Sequence, residues 1–169
     1  MINVRMPLFI ITGYSGSGKS TTTLYLRDIL PEFDVFDMDT LVCDNNYQRA
    51  CNHWVRVAFA NALEGRGTVL LGNVPDPYNI QLGDYSYYFH PIHYLYLYCQ
   101  PEERIKRLKA RGVWADKDIE RIINLANQSY NESVTSDPPI PIIDTTNTSE
   151  QQVAELIKGW VMSIWITLH

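Results

Sequence analysis

The residues best suited to chemistry form a glycine-rich segment near the start of the chain. Residues 13–20 have the sequence Gly-Tyr-Ser-Gly-Ser-Gly-Lys-Ser. The glycines permit a tight turn in which successive backbone N–H groups face inward and can bind an anion. Lys19 could reach the β- and γ-phosphates of a nucleotide, and the Ser20 hydroxyl could hold Mg²⁺. The spacing therefore predicts a binding site for a nucleoside triphosphate, ATP in our interpretation, together with Mg²⁺.

The elements on either side of this segment are the ones that it requires. The apolar residues 8–11 predict a buried parallel strand, and residues 20–30 predict a helix with Leu24, Tyr25, Ile29 and Leu30 facing inward. The positive end of the helix dipole adds to the anion site. Strand, loop and helix together make a phosphate-binding P-loop. We assign nucleotide binding to Gly13, Ser15, Gly16, Ser17, Gly18, Lys19, Ser20 and Thr21.

Two carboxylates come at the end of the second predicted strand, residues 34–39. Side chains two apart on a strand point the same way, so Asp37 and Asp39 would project together beside the P-loop. One carboxylate could bind water coordinated to Mg²⁺, and the other could orient or deprotonate an acceptor hydroxyl. The alternative is that both are solvated turn residues.

Three arginines share one face of a predicted helix over residues 102–111. Arg104, Arg107 and Arg111 are spaced at i, i+3 and i+7. Such a face could clamp a transferring phosphoryl group while negative charge spreads over its oxygens. A fully solvated basic helix is the alternative interpretation.

The rest of the chain alternates between predicted strands and helices. Strands are predicted at 68–72, 93–99 and 140–144, helices at 48–64 and 116–130, and a final helix from a capping box of Thr148 and Gln151. This alternation predicts an α/β domain over residues 1–169, with a parallel sheet between helices. Ligands of such sheets bind beyond the carboxyl ends of the strands.

Composition excludes several classes of function. The 169 residues carry a net charge of −5, which disfavours binding to a nucleic-acid backbone. No apolar run is long enough for a membrane helix, and residues 1–6 do not resemble a signal peptide. The three cysteines lack disulfide or metal spacing and suggest a cytoplasmic protein with reduced thiols.

Further segments distinguish among P-loop proteins. The chain contains neither Asp-x-x-Gly nor Asn/Thr-Lys-x-Asp, the motifs of guanine-nucleotide switches. It resembles the small P-loop kinases, the group of nucleoside and nucleotide kinases, shikimate kinase and gluconate kinase. Besides the P-loop, the resemblance depends on residues 36–39, 70–72, 101–111 and 143–146.

The resemblance implies a three-layer P-loop fold with a five-stranded parallel sheet in the order 2-3-1-4-5. It implies ATP-dependent phosphorylation of a small molecule beneath a lid, here a short one over about residues 107–118. By the same resemblance Asp37 holds the metal, Asp39 contacts the acceptor, and Arg107 or Arg111 contacts ATP. The segment of Asp144, Thr145 and Thr146 would pass beside the adenine.

The phosphoryl acceptor is the least determined part of the prediction. Candidate contacts are Asn46, Arg56, Asn73, Asp76, Tyr78, Tyr85 and Tyr88. An aromatic, hydroxyl-rich pocket would suit a nucleoside or similar polyol, although the tyrosines could merely cover the sheet. Few arginines occur in this region, which disfavours a nucleoside monophosphate. The alternatives are a nucleoside monophosphate kinase or a catalytically silent ATP-binding regulatory module, in each case a monomer or homodimer.

Overall fold

Five strands form a single parallel sheet in a computed structural model that describes residues 6–74 and 78–168. The strand order is β2-β3-β1-β4-β5, so the predicted order 2-3-1-4-5 is confirmed. The strands are β1 (Leu8–Thr12), β2 (Phe33–Asp37), β3 (Gly67–Leu71), β4 (His93–Tyr98) and β5 (Ile142–Asp144).

Helices connect these strands and cover the sheet. The helices are α1 (Lys19–Ile29), α2 (Tyr47–Leu63), α3 (Pro101–Arg111), α4 (Asp116–Thr135) and α5 (Glu150–Thr167). Short 3₁₀ turns occupy Met38–Leu41, Ile80–Leu82 and Ser86–Tyr88. Because each strand of the sheet runs parallel to its neighbour, all strands end at the same edge, beside the P-loop.

The two faces of the sheet bury separate apolar layers. Alternate β1 residues Phe9 and Ile11 pack with α1 and α5, whereas Leu8 and Ile10 pack with α2 and residues 80–89. All four side chains are buried, and together the layers give the three-layer α/β arrangement that the resemblance implied.

Two local predictions were wrong. Leu24 and Tyr25 in α1 are 61% and 38% exposed, because the face of the helix that packs on the sheet carries Thr22, Thr23 and Leu26 instead. The capping box of α5 is formed by Ser149 and Gln152, not by Thr148 and Gln151. The Thr148 hydroxyl instead donates to the Asp144 carbonyl at 3.0 Å.

The aromatic C-terminal segment packs on the domain. The rings of Trp160 and Trp165 lie edge-on to those of Phe9 and Phe33 respectively, each with a centroid distance of 5.3 Å. Helix α5 therefore covers one face of the sheet along most of its length. Among the described helices, none combines the length and the apolar character needed to cross a bilayer.

Candidate active site

The P-loop occupies the turn between β1 and α1 and depends on backbone conformations that favour glycine. Gly13, Gly16 and Gly18 have φ angles of 149°, 86° and 90°. A Cβ atom at Gly13 would lie 2.7 Å from the Leu97 carbonyl oxygen and 2.8 Å from Ser17 Oγ. Residue 13 therefore has no room for a side chain, and the loop can fold tightly onto the sheet.

Lys19 lies in the first turn of α1 with its ammonium group folded into the loop. Its Nζ donates to the Gly13 carbonyl and lies 3.4 Å from Ser17 Oγ. Burial lowers the pKa of Lys19 to about 8, against an opposing effect of the nearby Asp39 carboxylate. A poorly solvated cation in this position is suited to binding an anionic phosphate.

Ser20 and Asp37 form the candidate magnesium site. The Ser20 hydroxyl donates to Asp37 Oδ2 at 3.0 Å, which joins the start of α1 to the end of β2. A hydroxyl and a carboxylate oxygen are the hard ligands that Mg²⁺ prefers, so these residues fit the ion. Among the described residues there is no cluster of three or more His, Cys, Asp or Glu side chains that could hold a metal by itself.

Asp39 does not lie on a strand, so the alternation argument for the Asp37–Asp39 pair was wrong. Strand β2 ends at Asp37, whose Oδ1 accepts the Asp39 backbone N–H at 3.0 Å and begins the 3₁₀ turn. The Asp39 carboxylate nevertheless influences Lys19 electrostatically. Asp39 is exposed, but partial desolvation and then the Asp37 charge raise the pKa of its carboxyl group.

Sequence reasoning did not predict the buried position of Arg104 behind the P-loop. Its side chain is 1% exposed and donates to the backbone carbonyls of Tyr14 at 3.1 Å, Ser15 at 2.8 Å and Cys99 at 3.3 Å. The available signal was its place in the first turn of a helix that follows a strand ending near the P-loop. The i, i+3, i+7 spacing by itself does not separate Arg104 from Arg107 and Arg111, which lie farther along the helix.

Arg107 and Arg111 lie farther along α3 and face the same side of the P-loop. Arg107 donates to the Thr145 carbonyl at 2.7 Å and the Thr146 carbonyl at 3.2 Å, and it bonds Glu103 Oε1 at 3.0 Å. Arg111 is exposed at the end of the helix, and its charge acts on Lys19. A phosphoryl contact stays a prediction for both residues.

The predicted lid, about residues 107–118, covers the end of α3, the start of α4 and the connection between them, and its role as a lid stays a prediction. Only residues 112–115 separate the two helices. Trp114 and Tyr14 both pack against the apolar cluster of Leu108, Ile119 and Ile122, whereas Val113 is 77% exposed. The P-loop residue Tyr14 therefore packs against the same apolar cluster as the connection between α3 and α4.

A cavity of about 410 Å³ opens beside the P-loop, a size within the range of ligand pockets. It is lined by Gly16, Ser17, Gly18, Thr21, Thr22, Glu103, Arg107, Ala110, Arg111, Thr145, Thr148, Glu150 and Val153. Thr145 Oγ1 lies 3.1 Å from the Ser17 carbonyl oxygen, so the segment after β5 contacts the loop directly. Asp144 Oδ1 accepts the Thr146 backbone N–H at 2.8 Å and thereby shapes the turn.

A second cavity of about 340 Å³ lies on the α2 side of the sheet. It is lined by Ile10, Thr12, Gly72, Val74, Tyr78, Asn79, Ile80, Gln81 and Tyr94. Its polar groups are hydroxyls and amides, and none of these lining residues carries a formal charge at neutral pH. The cavity adjoins the P-loop at Thr12, the residue before Gly13.

Of the predicted acceptor contacts, Tyr78 lines this second cavity and most of the others do not. Arg56 forms an exposed ion pair with Asp84 at 3.0 Å, and Asn46 caps α2. The rings of Tyr85 and Tyr88 contact that of Phe59 in a tilted arrangement, with centroid distances of 4.8 and 4.6 Å. Asn73 is not among the lining residues.

The remaining acceptor candidate, Asp76, lies outside the described residues. The interpretation that the tyrosines cover the sheet holds for Tyr85 and Tyr88, because both belong to the apolar layer under α2.

Comparison with known proteins identifies the fold. A sugar kinase from Janibacter sp. superposes with a TM-score of 0.65 at 16% identity, over 92% of this chain and 94% of that protein. A shikimate kinase from Acinetobacter baumannii, solved with shikimate, gives 0.57 at 14% identity over 94% of both chains. A gluconokinase from Sinorhizobium meliloti gives 0.59 at 12% identity, over 96% of this chain and 98% of that one.

Among curated proteins, none matches this chain. A family model described as an AAA domain matches residues 10–132, which is more than half of the sequence. At identities this low, the solved structures establish the fold and not the substrate. The chain therefore belongs to the AAA domain family, and its fold is that of the small P-loop kinases.

Proposed function

We propose that the protein transfers the γ-phosphoryl group of Mg·ATP to a hydroxyl of a neutral small molecule, a nucleoside or similar polyol. One observation carries this proposal: two separate cavities adjoin the two ends of the P-loop. The cavity of about 410 Å³ touches residues 16–18, and the cavity of about 340 Å³ touches Thr12. A phosphotransferase needs such an arrangement, because donor and acceptor must meet at the γ-phosphate.

The P-loop would hold the donor. Its inward N–H groups, the N-terminus of α1 and the Lys19 ammonium group all offer positive charge to the β- and γ-phosphates. Ser20 and Asp37 would hold Mg²⁺, which supplies charge that offsets the negative phosphoryl oxygens when it is bound. The nucleoside of ATP would lie in the larger cavity beside Asp144, Thr145 and Thr146.

Asp39 would act on the acceptor. Its raised pKa favours a carboxylate that accepts a hydrogen bond or a proton from the attacking hydroxyl. The hydroxyl oxygen forms the new bond to the γ-phosphorus, the bond to the β,γ-bridging oxygen breaks, and ADP leaves. Arg111 is exposed and lines the donor cavity, and its positive charge would stabilise the negative charge that spreads over the oxygens of the transferring phosphoryl group.

The lining of the smaller cavity supports a neutral acceptor. An acceptor that carries a carboxylate or phosphate needs a cationic partner when it leaves water. The described residues around this cavity offer instead the hydroxyls of Thr12, Tyr78 and Tyr94 and the amides of Asn79 and Gln81. Such groups can bind the hydroxyls and the ring of a nucleoside.

The test is ADP release from Mg·ATP in the presence of single acceptors. The panel contains nucleosides, nucleoside monophosphates, sugar acids and uncharged polyols, and Lys19→Ala provides the blank. Release that depends on one nucleoside or polyol is the expected result. Release with a monophosphate alone would assign a nucleoside monophosphate kinase. ATP binding without any acceptor-dependent release would favour the regulatory module and contradict the proposal.

A further inference from the structure

Arg104 is a buried cation without a carboxylate partner. Its side chain is 1% exposed, and none of the salt bridges formed within residues 6–74 and 78–168 includes it. A buried guanidinium group normally has an anionic partner, because the cost of removing it from water is high. The three acceptors of Arg104 are backbone carbonyls, which satisfy its N–H groups but do not neutralise its charge.

Two of these carbonyls belong to the P-loop, and their orientation determines where the loop N–H groups point. In a trans peptide the C=O and N–H bonds point in opposite directions. Arg104 holds the carbonyls of Tyr14 and Ser15 from behind the loop. The N–H groups of Ser15 and Gly16, which share those two peptide planes, therefore point away from Arg104.

The stem of Arg104 also supports the loop by close packing. A Cβ atom at Gly16 would lie 3.0 Å from Arg104 Cγ, so the loop backbone rests directly on this side chain. The third carbonyl, that of Cys99 at 3.3 Å, follows β4. One side chain thus fixes the P-loop relative to both α3 and the sheet.

We propose that Arg104 is a positioning residue that orients the Ser15 and Gly16 N–H groups for the β-phosphate and places an unneutralised positive charge behind them. The proposal builds on the nucleotide-binding part of the proposed function. It assigns to Arg104 a role that depends on the phosphates of the nucleotide and not on its nucleoside. Arg104 is not among the residues that line the cavity of about 410 Å³, in which the nucleoside of ATP is proposed to lie.

The test compares ADP with AMP, since AMP lacks the β-phosphate. Arg104→Met keeps an unbranched stem and removes the charge and its donors, whereas Arg104→Lys keeps the charge but loses the two-pronged donor geometry. Lys106→Met is the matched control, because Lys106 lies on the same helix with a side chain that is 80% exposed. Binding is followed by the ligand-induced rise in melting temperature, and folding is checked by circular dichroism.

For Arg104→Met, ADP affinity should fall about tenfold to a hundredfold, the effect of losing hydrogen bonds to a charged group. Arg104→Lys should give an intermediate loss. AMP affinity should change by less than twofold in either variant, and Lys106→Met should match the wild type.

ADP affinity within twofold of the wild type in Arg104→Met, or equal losses for ADP and AMP, would overturn the proposal. If Arg104→Met does not fold, the same two results are sought in Arg104→Lys: ADP affinity within twofold of the wild type, or equal losses for ADP and AMP, would overturn the proposal. A wild-type protein that binds neither ATP nor ADP would contradict the proposed function itself. That outcome is distinct from variants that bind ADP as the wild type does.

Discussion

The Ser20 hydroxyl lies 3.0 Å from Asp37 Oδ2, although the two residues are 17 positions apart in the chain. This contact joins the first turn of α1 to the last residue of β2. Because both oxygens are also the candidate ligands of Mg²⁺, the contact holds them in place before the ion arrives. Preorganised ligands bind an ion with less loss of side-chain freedom.

Asp37→Asn should lower the ratio of the ATP affinity in Mg²⁺ to that in EDTA by about tenfold or more. The reason is that a carboxamide lacks the negative charge that attracts a divalent ion. The amide oxygen can still accept from Ser20, so the fold should be unchanged. Calorimetric titration with ATP in Mg²⁺ and in EDTA measures the effect. Asp28→Asn, at an exposed carboxylate in α1, makes the same charge change away from the loop and serves as the control. Equal Mg²⁺ dependence in both variants would remove Asp37 from the metal site.

Lys19→Met should reduce phosphoryl transfer by at least about a hundredfold, because a preorganised charge beside the transferring group is lost.

The same substitution also tests the burial of the Lys19 ammonium group, through the pH dependence of stability. The pKa of Lys19 falls from 10.5 to about 8 on folding. Between these values the unfolded chain binds more protons, so the stability of the wild type rises with pH across that window.

The free energy of unfolding of the wild type should therefore gain about 2 kcal/mol relative to Lys19→Met between pH 7.5 and 9.5. Chemical denaturation in EDTA, without nucleotide, at the two pH values provides the measurement. Parallel pH profiles for the two proteins would show that Lys19 is solvated in the free protein.

Asp39→Asn should bind Mg·ATP with wild-type affinity but lower acceptor-dependent turnover by about a hundredfold, the usual effect of removing a general base. The reason is that an amide cannot take the proton of the attacking hydroxyl. Steady-state ADP release with the acceptor identified by the panel is the readout. Wild-type turnover in this variant would show that Asp39 has no part in the reaction and serves only as a residue of the turn after β2.

The sequence was sufficient where a local pattern determines local structure. Residues 13–20 and the apolar run before them predicted the strand, loop and helix, because phosphate binding imposes strict backbone requirements on a short segment. The alternation of elements predicted the parallel strands, the family resemblance alone implied their order, and the sheet confirms both.

The sequence was insufficient where a residue's role depends on distant partners. Arg104 contacts carbonyls 89 and 90 residues away, and nothing in the spacing of the α3 arginines indicates which one is buried. Asp39 was misplaced because Asp37 ends β2 by accepting the N–H group of residue 39, a side-chain bond that competes with strand continuation. Tyr85 and Tyr88 could not be separated from Tyr78, since their ring contacts with Phe59 are tertiary contacts.

Tyr78→Ala should raise the KM for the acceptor about fivefold to tenfold and leave the KM for ATP unchanged, because Tyr78 lines the smaller cavity and not the larger one. The loss corresponds to about 1 kcal/mol, the contribution of one aromatic contact. Tyr87→Ala is the matched control, since Tyr87 is 68% exposed and lines neither cavity. Initial rates with each substrate varied in turn separate the two KM values. If only the KM for ATP rises, the smaller cavity binds ATP, and our assignment of the two cavities to donor and acceptor must be reversed.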